Sequence, residues 1–190
     1  MSVDQRVADL IARGLNNEAA TALIEAFGPE LLGYLRAMLR EDGDVGDAFS
    51  LFCERAWRGL SRFRGESSLR VWCYRIAWNV VCSLKREAYK RHRRRLNTSM
   101  ASRLAEHIFS RAAPTRERQT TALDRLRAQL DREEQSLLIL RIDRRLSWSE
   151  VADVLAEEGR ARQEEGALRK RFERLKHKLA RAARDQGLIG

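Results

Sequence analysis

Proline and cysteine are scarce in this chain: its 190 residues contain 2 Pro and 3 Cys, beside 11 Gly. So few turn formers argue against a turn-rich all-β fold and against a collagenous or low-complexity chain. Cys53, Cys73 and Cys82 are odd in number and form no C-x-x-C pair. This speaks against a disulfide scaffold and against a four-ligand zinc site. Each thiol reads as a small buried residue in a reducing cytosol. Histidine is also rare. His92, His107 and His177 all sit in or near basic, polar stretches. None belongs to an H-E-x-x-H motif or a triad, and no G-x-x-x-x-G-K-[ST] loop occurs, so no enzyme, cofactor or metal is expected. No apolar run approaches the ~20 residues of a membrane helix. Met1-Ser2-Val3-Asp4-Gln5-Arg6 does not begin a secretory signal, and the expected location is cytoplasmic, with no membrane partner.

What the chain has in excess is positive charge. Lys plus Arg total 37 against 27 Asp plus Glu, a net charge of +10, with a pI of about 10.3. Such a balance points to a polyanionic partner, nucleic acid first and an acidic membrane surface second. The charge is unevenly spread. Residues 41–54 carry Glu41, Asp42, Asp44, Asp47 and Glu54 with no Lys or Arg. Residues 85–95 carry seven basic residues against Glu87, and residues 160–185 carry ten Lys and Arg against Glu164, Glu165, Glu173 and Asp185. One acidic patch between two distant basic blocks suggests two nucleic-acid contacts and a separate protein contact.

The apolar periodicity is helical throughout. Val7, Leu10, Ile11 and Leu15 mark a first short helix. Asn16-Asn17 caps a second, carrying Ala20, Leu23, Ile24 and Phe27, which Gly28-Pro29 bends or breaks before Leu31, Leu32, Leu35 and Leu39. A third helix runs from about Val45 to Leu60 with Ala48, Leu51, Phe52 and Ala56 inward. Arg62 to Ser68 is a loop, and Ser67 or Ser68 caps a fourth helix reaching the basic block near His92. Residues 96–119, rich in Ser, Thr and Arg and containing Pro114, read as a linker with at most a helical turn or two at Leu104, Ile108 and Phe109. Periodicity returns at Leu123, Leu126, Leu130, Leu137, Leu138 and Leu140. The expected fold is all-α: two small helical domains, 1–95 and 120–190, joined by the linker 96–119.

Two constellations carry function. Ser147-Trp148-Ser149-Glu150 has the form of a capping box, opening a helix that buries Trp148, Val151, Ala152 and Leu155. After Gly159 a further helix places Leu168, Phe172, Leu175 and Leu179 on one side and Lys170, Arg174, His177 and Arg181 on the other. A short capped helix, a turn and a one-sided basic helix is the layout of a helix-turn-helix, or else of an ordinary helical hairpin with a solvated basic face. In the fourth helix, Leu69, Trp72, Cys73, Ile76, Val80 and Leu84 span about 120° at ~100° per residue and are expected inward. Arg75, Trp78, Asn79 and Arg86 occupy an adjacent sector. Charge for phosphate, a π-face for stacking and an amide for a base edge suit nucleic acid, although Trp78 could equally be core.

Trp72-Cys73-Tyr74-Arg75-Ile76-Ala77-Trp78-Asn79 resembles the W-L-y-r-I-A-r-N signature of bacterial extracytoplasmic-function sigma factors. Phe63-Arg64-Gly65-Glu66-Ser67-Ser68 resembles their F-x-G-x-s-s, and Asp47 followed by Trp57 their D-L-V-Q-E-x-F-x-x-A-W helix. Ser149-Glu150-Val151-Ala152 resembles s-x-E-I-A, and Ala167-Leu168-Arg169-Lys170-Arg171-Phe172 followed by Arg174 resembles T-V-k-S-R-l-x-R. The likeness covers about residues 16–92 and 120–185 in the family's order. Departures are Ser50-Leu51 for Gln-Glu, Cys53 for Phe, Ala167 for Thr, and a turn before Ala167 roughly six residues longer than usual.

The resemblance implies a sigma factor that binds core RNA polymerase and directs promoter recognition, DNA melting and initiation. It assigns polymerase binding to Asp44, Asp47, Ser50, Leu51 and Glu54. Binding and melting of the −10 element fall to Arg62, Phe63, Arg64, Ser67, Arg75, Trp78, Asn79 and Arg86. Binding of the −35 element falls to Arg169, Lys170, Arg171, Arg174 and His177. An anti-sigma factor is a further partner it allows. The competing reading is a one-component helix-turn-helix regulator acting without polymerase, which has no use for the Arg75, Trp78 and Asn79 strip.

Overall fold

The computed structural model describes residues 2–39, 42–87, 103–108, 126–127, 129–156 and 161–188. Among them every regular element is helical. The chain divides into two compact units, Met1–Ala113 and Pro114–Gly190.

The first unit is built on α1 (Val3–Ala12), α2 (Asn16–Met38), α3 (Asp42–Gly59) and α4 (Leu69–Glu87). Ser2 and Gln5 form a capping box at the start of α1, satisfying two otherwise orphaned N–H groups. Asp4 on α1 accepts a hydrogen bond from Leu69 N at 3.1 Å, so α1 also helps cap α4. Of the two candidate caps, Ser68 fills the role: its Oγ accepts from Val71 N at 3.2 Å. Gly28-Pro29, expected to bend or break the helix, does not break it, and α2 runs through Pro29. Proline costs about 3 kcal/mol inside a helix. Here Leu23 and Ile24 before it and Leu31, Leu32, Tyr34 and Leu35 after it are all buried, and burying each such side chain contributes ~1.5–3 kcal/mol. Continuity of that stripe outweighs the missing hydrogen bond.

The inward face of α4 also differs from the expected one. Val71, Cys73, Tyr74, Ala77, Trp78, Val80 and Val81 are buried, whereas Trp72, Ile76 and Leu84 are half-buried. The core therefore lies about half a turn from Trp72. Apolar residues occur on nearly every side of α4, so period alone does not settle its rotation. Tertiary partners do. Tyr74 packs edge-on against Tyr34 at 5.3 Å, and its hydroxyl donates to Glu30 Oε1 at 2.9 Å. Arg70 Nε donates to the same carboxylate at 3.1 Å, joining α4 to α2.

All three cysteines are buried, and none is in a disulfide. Desolvation by burial pushes the Cys53 thiol up to about 12 and raises Cys73 well above the ordinary thiol range. Cys53 and Cys73 are inert packing groups.

The helical residues 103–108 lie within the first unit, inside the stretch expected to be linker. Ala105 is buried, and a Cβ on Gly28 would stand 3.0 Å from Ile108 Cδ1. The basic run 88–95 and the rest of 96–119 lie outside the described residues, apart from 103–108.

The second unit contains α5 (Arg132–Leu138), a π-helical turn (Ile139–Asp143), α6 (Trp148–Val154) and α7 (Glu165–Asp185). Asp131 and Glu134 cap α5 reciprocally. Arg145, at φ 56°, reverses the chain after the π turn, and Leu146 N donates back to Leu140 O at 3.0 Å. Arg141 Nη1 donates to Leu146 O at 2.7 Å and steadies the approach to α6.

Candidate nucleic-acid interface

In the first unit the loop after α3 folds onto the outward side of α4. Leu60–Arg62 forms one 3₁₀ turn. Gly65 takes φ +74°, a left-handed conformation that favours glycine. Phe63 then meets Trp72 with ring centroids 5.4 Å apart and planes inclined by 55°. Gly59 makes room, since a Cβ there would approach Trp72 Cζ2 to 3.1 Å. The result is a half-buried aromatic shelf. Arg62 and Arg64 flank Phe63 in the loop, and Arg75 and Asn79 follow Trp72 by one and two turns on α4. The three arginines are exposed and Asn79 is half-buried.

This corrects the assignment of Trp78. It is 1% exposed, and its indole N–H is buried without a partner among the described residues. A ring so enclosed has no face for a base to stack on. The accessible indole is Trp72, which the apolar period alone places in the core. Arg75 and Asn79 do lie on the outward strip, with Trp72 and Ile76 beside them. The side chain of Arg86 lies outside the described residues. Ser67 is half-buried, its Oγ 3.4 Å from Ser68 O.

The acidic face of α3 is partly as expected. Asp44 and Asp47 are exposed, and Ser50 and Leu51 half-buried. Glu54 is not an open contact group: it is 8% exposed, beside Cys53 at the margin of the buried stripe, with Oε1 paired to Arg58 Nη1 at 2.7 Å. The Glu41 and Asp42 side chains lie outside the described residues.

In the second unit the capping box at Ser147 is present. Glu150 N donates to Ser147 Oγ at 3.3 Å, and Ser147 N donates to Glu150 Oε2 at 2.7 Å. Trp148 packs edge-on to Phe172 at 5.5 Å, with the Arg141 guanidinium 5.0 Å from its ring centroid and that of Arg169 at 6.0 Å. Leu168, Phe172 and Leu175 are buried on α7. Lys170, Arg174, His177 and Arg181 form an exposed strip on the opposite side, and among the described residues none of the four has an acidic partner.

Arg171 is engaged within the unit. Its guanidinium pairs with Glu133 and reaches Asp131 at 3.4 Å, so it ties α7 to α5. Lys178 does likewise with Glu134 at 2.7 Å. Sequence reasoning missed this clasp because its partners lie some forty positions apart. It also missed Arg162, whose Nε donates to Asp153 Oδ1 at 2.6 Å and whose Nη2 donates to Ser149 Oγ at 2.8 Å, pinning the long turn to α6.

No helix among the described residues is long and apolar enough to cross a membrane. Residues 23–96 match sigma-70 region 2, a span that takes in most of α2 and all of α3 and α4. No curated protein matches the sequence. Among solved structures, CnrH in complex with the cytosolic domain of CnrY matches with a TM-score of 0.63 at 23% identity, covering 94% of this chain and 96% of that one. This likeness shows that both units share its all-α fold.

Proposed function

From the match of residues 23–96 to sigma-70 region 2, we propose a sigma factor that binds core RNA polymerase, recognises a two-part promoter and opens its downstream element. Core RNA polymerase and promoter DNA are the partners of such a domain. The observation that carries the finer reading is the shelf of Phe63 and Trp72 beside exposed Arg62, Arg64 and Arg75. A base leaving a duplex loses its stacking, at a few kcal/mol. An aromatic surface returns ~1–3 kcal/mol per base, and the arginines hold the adjoining phosphates. Trp72 thus takes the part expected of Trp78, with Asn79 supplying an amide for a base edge.

The strip Lys170, Arg174, His177 and Arg181, with Arg169, would meet the upstream duplex, where a basic helix fits a major groove. Asp44, Asp47 and the half-buried Ser50 and Leu51 would meet polymerase, the acidic face keeping that contact apart from the DNA-binding ones. The domains of this proposal are 1–95 for polymerase and the −10 element and 120–190 for the −35 element, with 96–119 between them, in the cytoplasm. CnrH is found with the cytosolic domain of CnrY, and a protein of that kind, an anti-sigma factor, is part of the proposal as a regulator of this chain.

The test is transcription by core RNA polymerase on a supercoiled genomic template, with and without the protein. Initiation at discrete sites only in its presence is expected. Failure to bind core polymerase would favour the one-component regulator.

A further inference from the structure

We infer that Arg162 is a positioning residue for sequence readout: it sets the first turn of α7 against α6 and so governs discrimination between duplexes rather than overall grip. The inference rests on reading α7 as the helix that enters duplex DNA.

The start of α7 is locally weak. Both α5 and α6 open with full capping boxes, but Glu164, at the N-cap of α7, makes no side-chain capping bond. An absent cap weakens the first turn of a helix. Gly166 follows in the first turn, with open space around its Cα, and glycine weakens a helix relative to alanine. The preceding connection is long, since α6 ends at Val154 and α7 begins at Glu165. Locally, the start of α7 is braced by the exposed Glu165–Arg169 pair at 3.5 Å, a weak constraint at the surface.

Arg162 supplies a further constraint. Two residues before the N-cap, it reaches back across the turn and commits its fork to α6. Nε donates to Asp153 Oδ1 at 2.6 Å, and Nη2 donates to Ser149 O at 3.0 Å and Ser149 Oγ at 2.8 Å. Ser149 lies in the first turn of α6, beside the Ser147 cap. The middle of α7 is held by other means: Phe172 on Trp148, and Arg171 and Lys178 on the acidic residues of α5. Losing Arg162 should leave the helix docked and free only its beginning. In helix-turn-helix proteins the N-terminal residues of the second helix meet the base edges, whereas the grip on phosphate here falls to the strip from Lys170 to Arg181. The Arg162–Asp153 pair is also substantially exposed, at 42% and 34%, so its contribution to stability is small.

The experiment uses the full-length chain and a duplex it selects from a randomised pool, compared with the same duplex scrambled, over a salt series. Arg162→Ala should lower the ratio of the two affinities about tenfold, leaving the scrambled-duplex affinity, its salt slope and the melting temperature in place. Arg162→Lys should not rescue, because an ammonium cannot make the fork. Asp153→Ala should reproduce the loss although it removes a negative charge, which by itself would strengthen DNA binding. Rescue by Lys, or a salt slope lowered by about one, would make Arg162 a phosphate contact and overturn the inference. Unchanged discrimination in both alanine variants would overturn it too. Lys170→Ala with Arg174→Ala, run alongside, tests the underlying reading. If that pair weakens binding and Arg162→Ala spares discrimination, only the positioning role fails. If that pair has no effect, or the chain selects no duplex, α7 is not the reading helix and both fall.

Discussion

The fourth and the last helix, α4 and α7, both carry arginines beside an apolar stripe, yet they are controlled differently. On α7 the apolar residues are confined to one side, with Leu168, Phe172 and Leu175 buried and Lys170, Arg174, His177 and Arg181 exposed. Its orientation is legible from its periodicity. On α4 apolar residues lie all round, and the helix is turned so that Trp78 is enclosed and Trp72 half-open. A one-sided helix declares its inward face. A helix apolar on every side takes the face that its neighbours can best fill, and its polar function follows from whichever side is left over.

The sharpest way to break this comparison is to truncate the two indoles. Trp78→Ala should destabilise the first unit by ~3–5 kcal/mol, as for a large buried aromatic, and Trp72→Ala by clearly less. Urea denaturation followed by circular dichroism measures both. Equal losses, or a greater loss at Trp72, would return the core to the stripe expected from period alone.

Next in size is the functional consequence. Trp72→Ala with Arg75→Ala should fold and bind core polymerase but lose ~1–3 kcal/mol of single-strand capture through the missing stacking surface. Permanganate reactivity of promoter thymines should fall, and a premelted bubble should recover much of it, because the unstacking cost is then already met. Normal opening by this variant would remove the melting role from the shelf.

On α7, replacing Lys170 and Arg174 with Ala should reduce the salt dependence of duplex binding, by ~0.9 in the log–log slope for each phosphate no longer neutralised. Arg171→Ala should act on stability instead, because its guanidinium is engaged by Glu133 and Asp131. A change in slope at Arg171 matching that at Lys170 would mean the clasp to α5 opens when DNA binds.

The smallest effect concerns the thiols. Burial raises the native pKa values of Cys53 and Cys73, so their neutral form is favoured in the fold. That contribution is complete below the unfolded value of ~8.5 and is lost as pH rises from there towards 12. A Cys53→Ala variant should show a shallower decline of the denaturation midpoint above pH ~9 than the unmodified chain. A parallel decline would assign the alkaline loss to other groups. Alkylation of all three cysteines should be slow at neutral pH until denaturant is added.

Much of the architecture was open to reading from residues alone. The all-helical class, the Ser147 cap, the basic strip on α7 and the buried cysteines follow from periodicity, local side-chain chemistry and composition. These depend on interactions within a turn or two, or on one side of a helix being unmistakably polar. What escaped was what depends on partners distant in sequence. Glu30, Tyr34 and Gly59 hold the rotation of α4; the apolar stripe on both sides of Pro29 keeps α2 whole; Glu133 and Asp131 claim Arg171; Arg58 and burial beside Cys53 take Glu54 from the surface. The order of residues along the chain determined which helices form and which side chains carry charge. Only tertiary packing decided which of two tryptophans faces outward and which arginines remain free, because burial and ion pairing are settled between elements rather than within them.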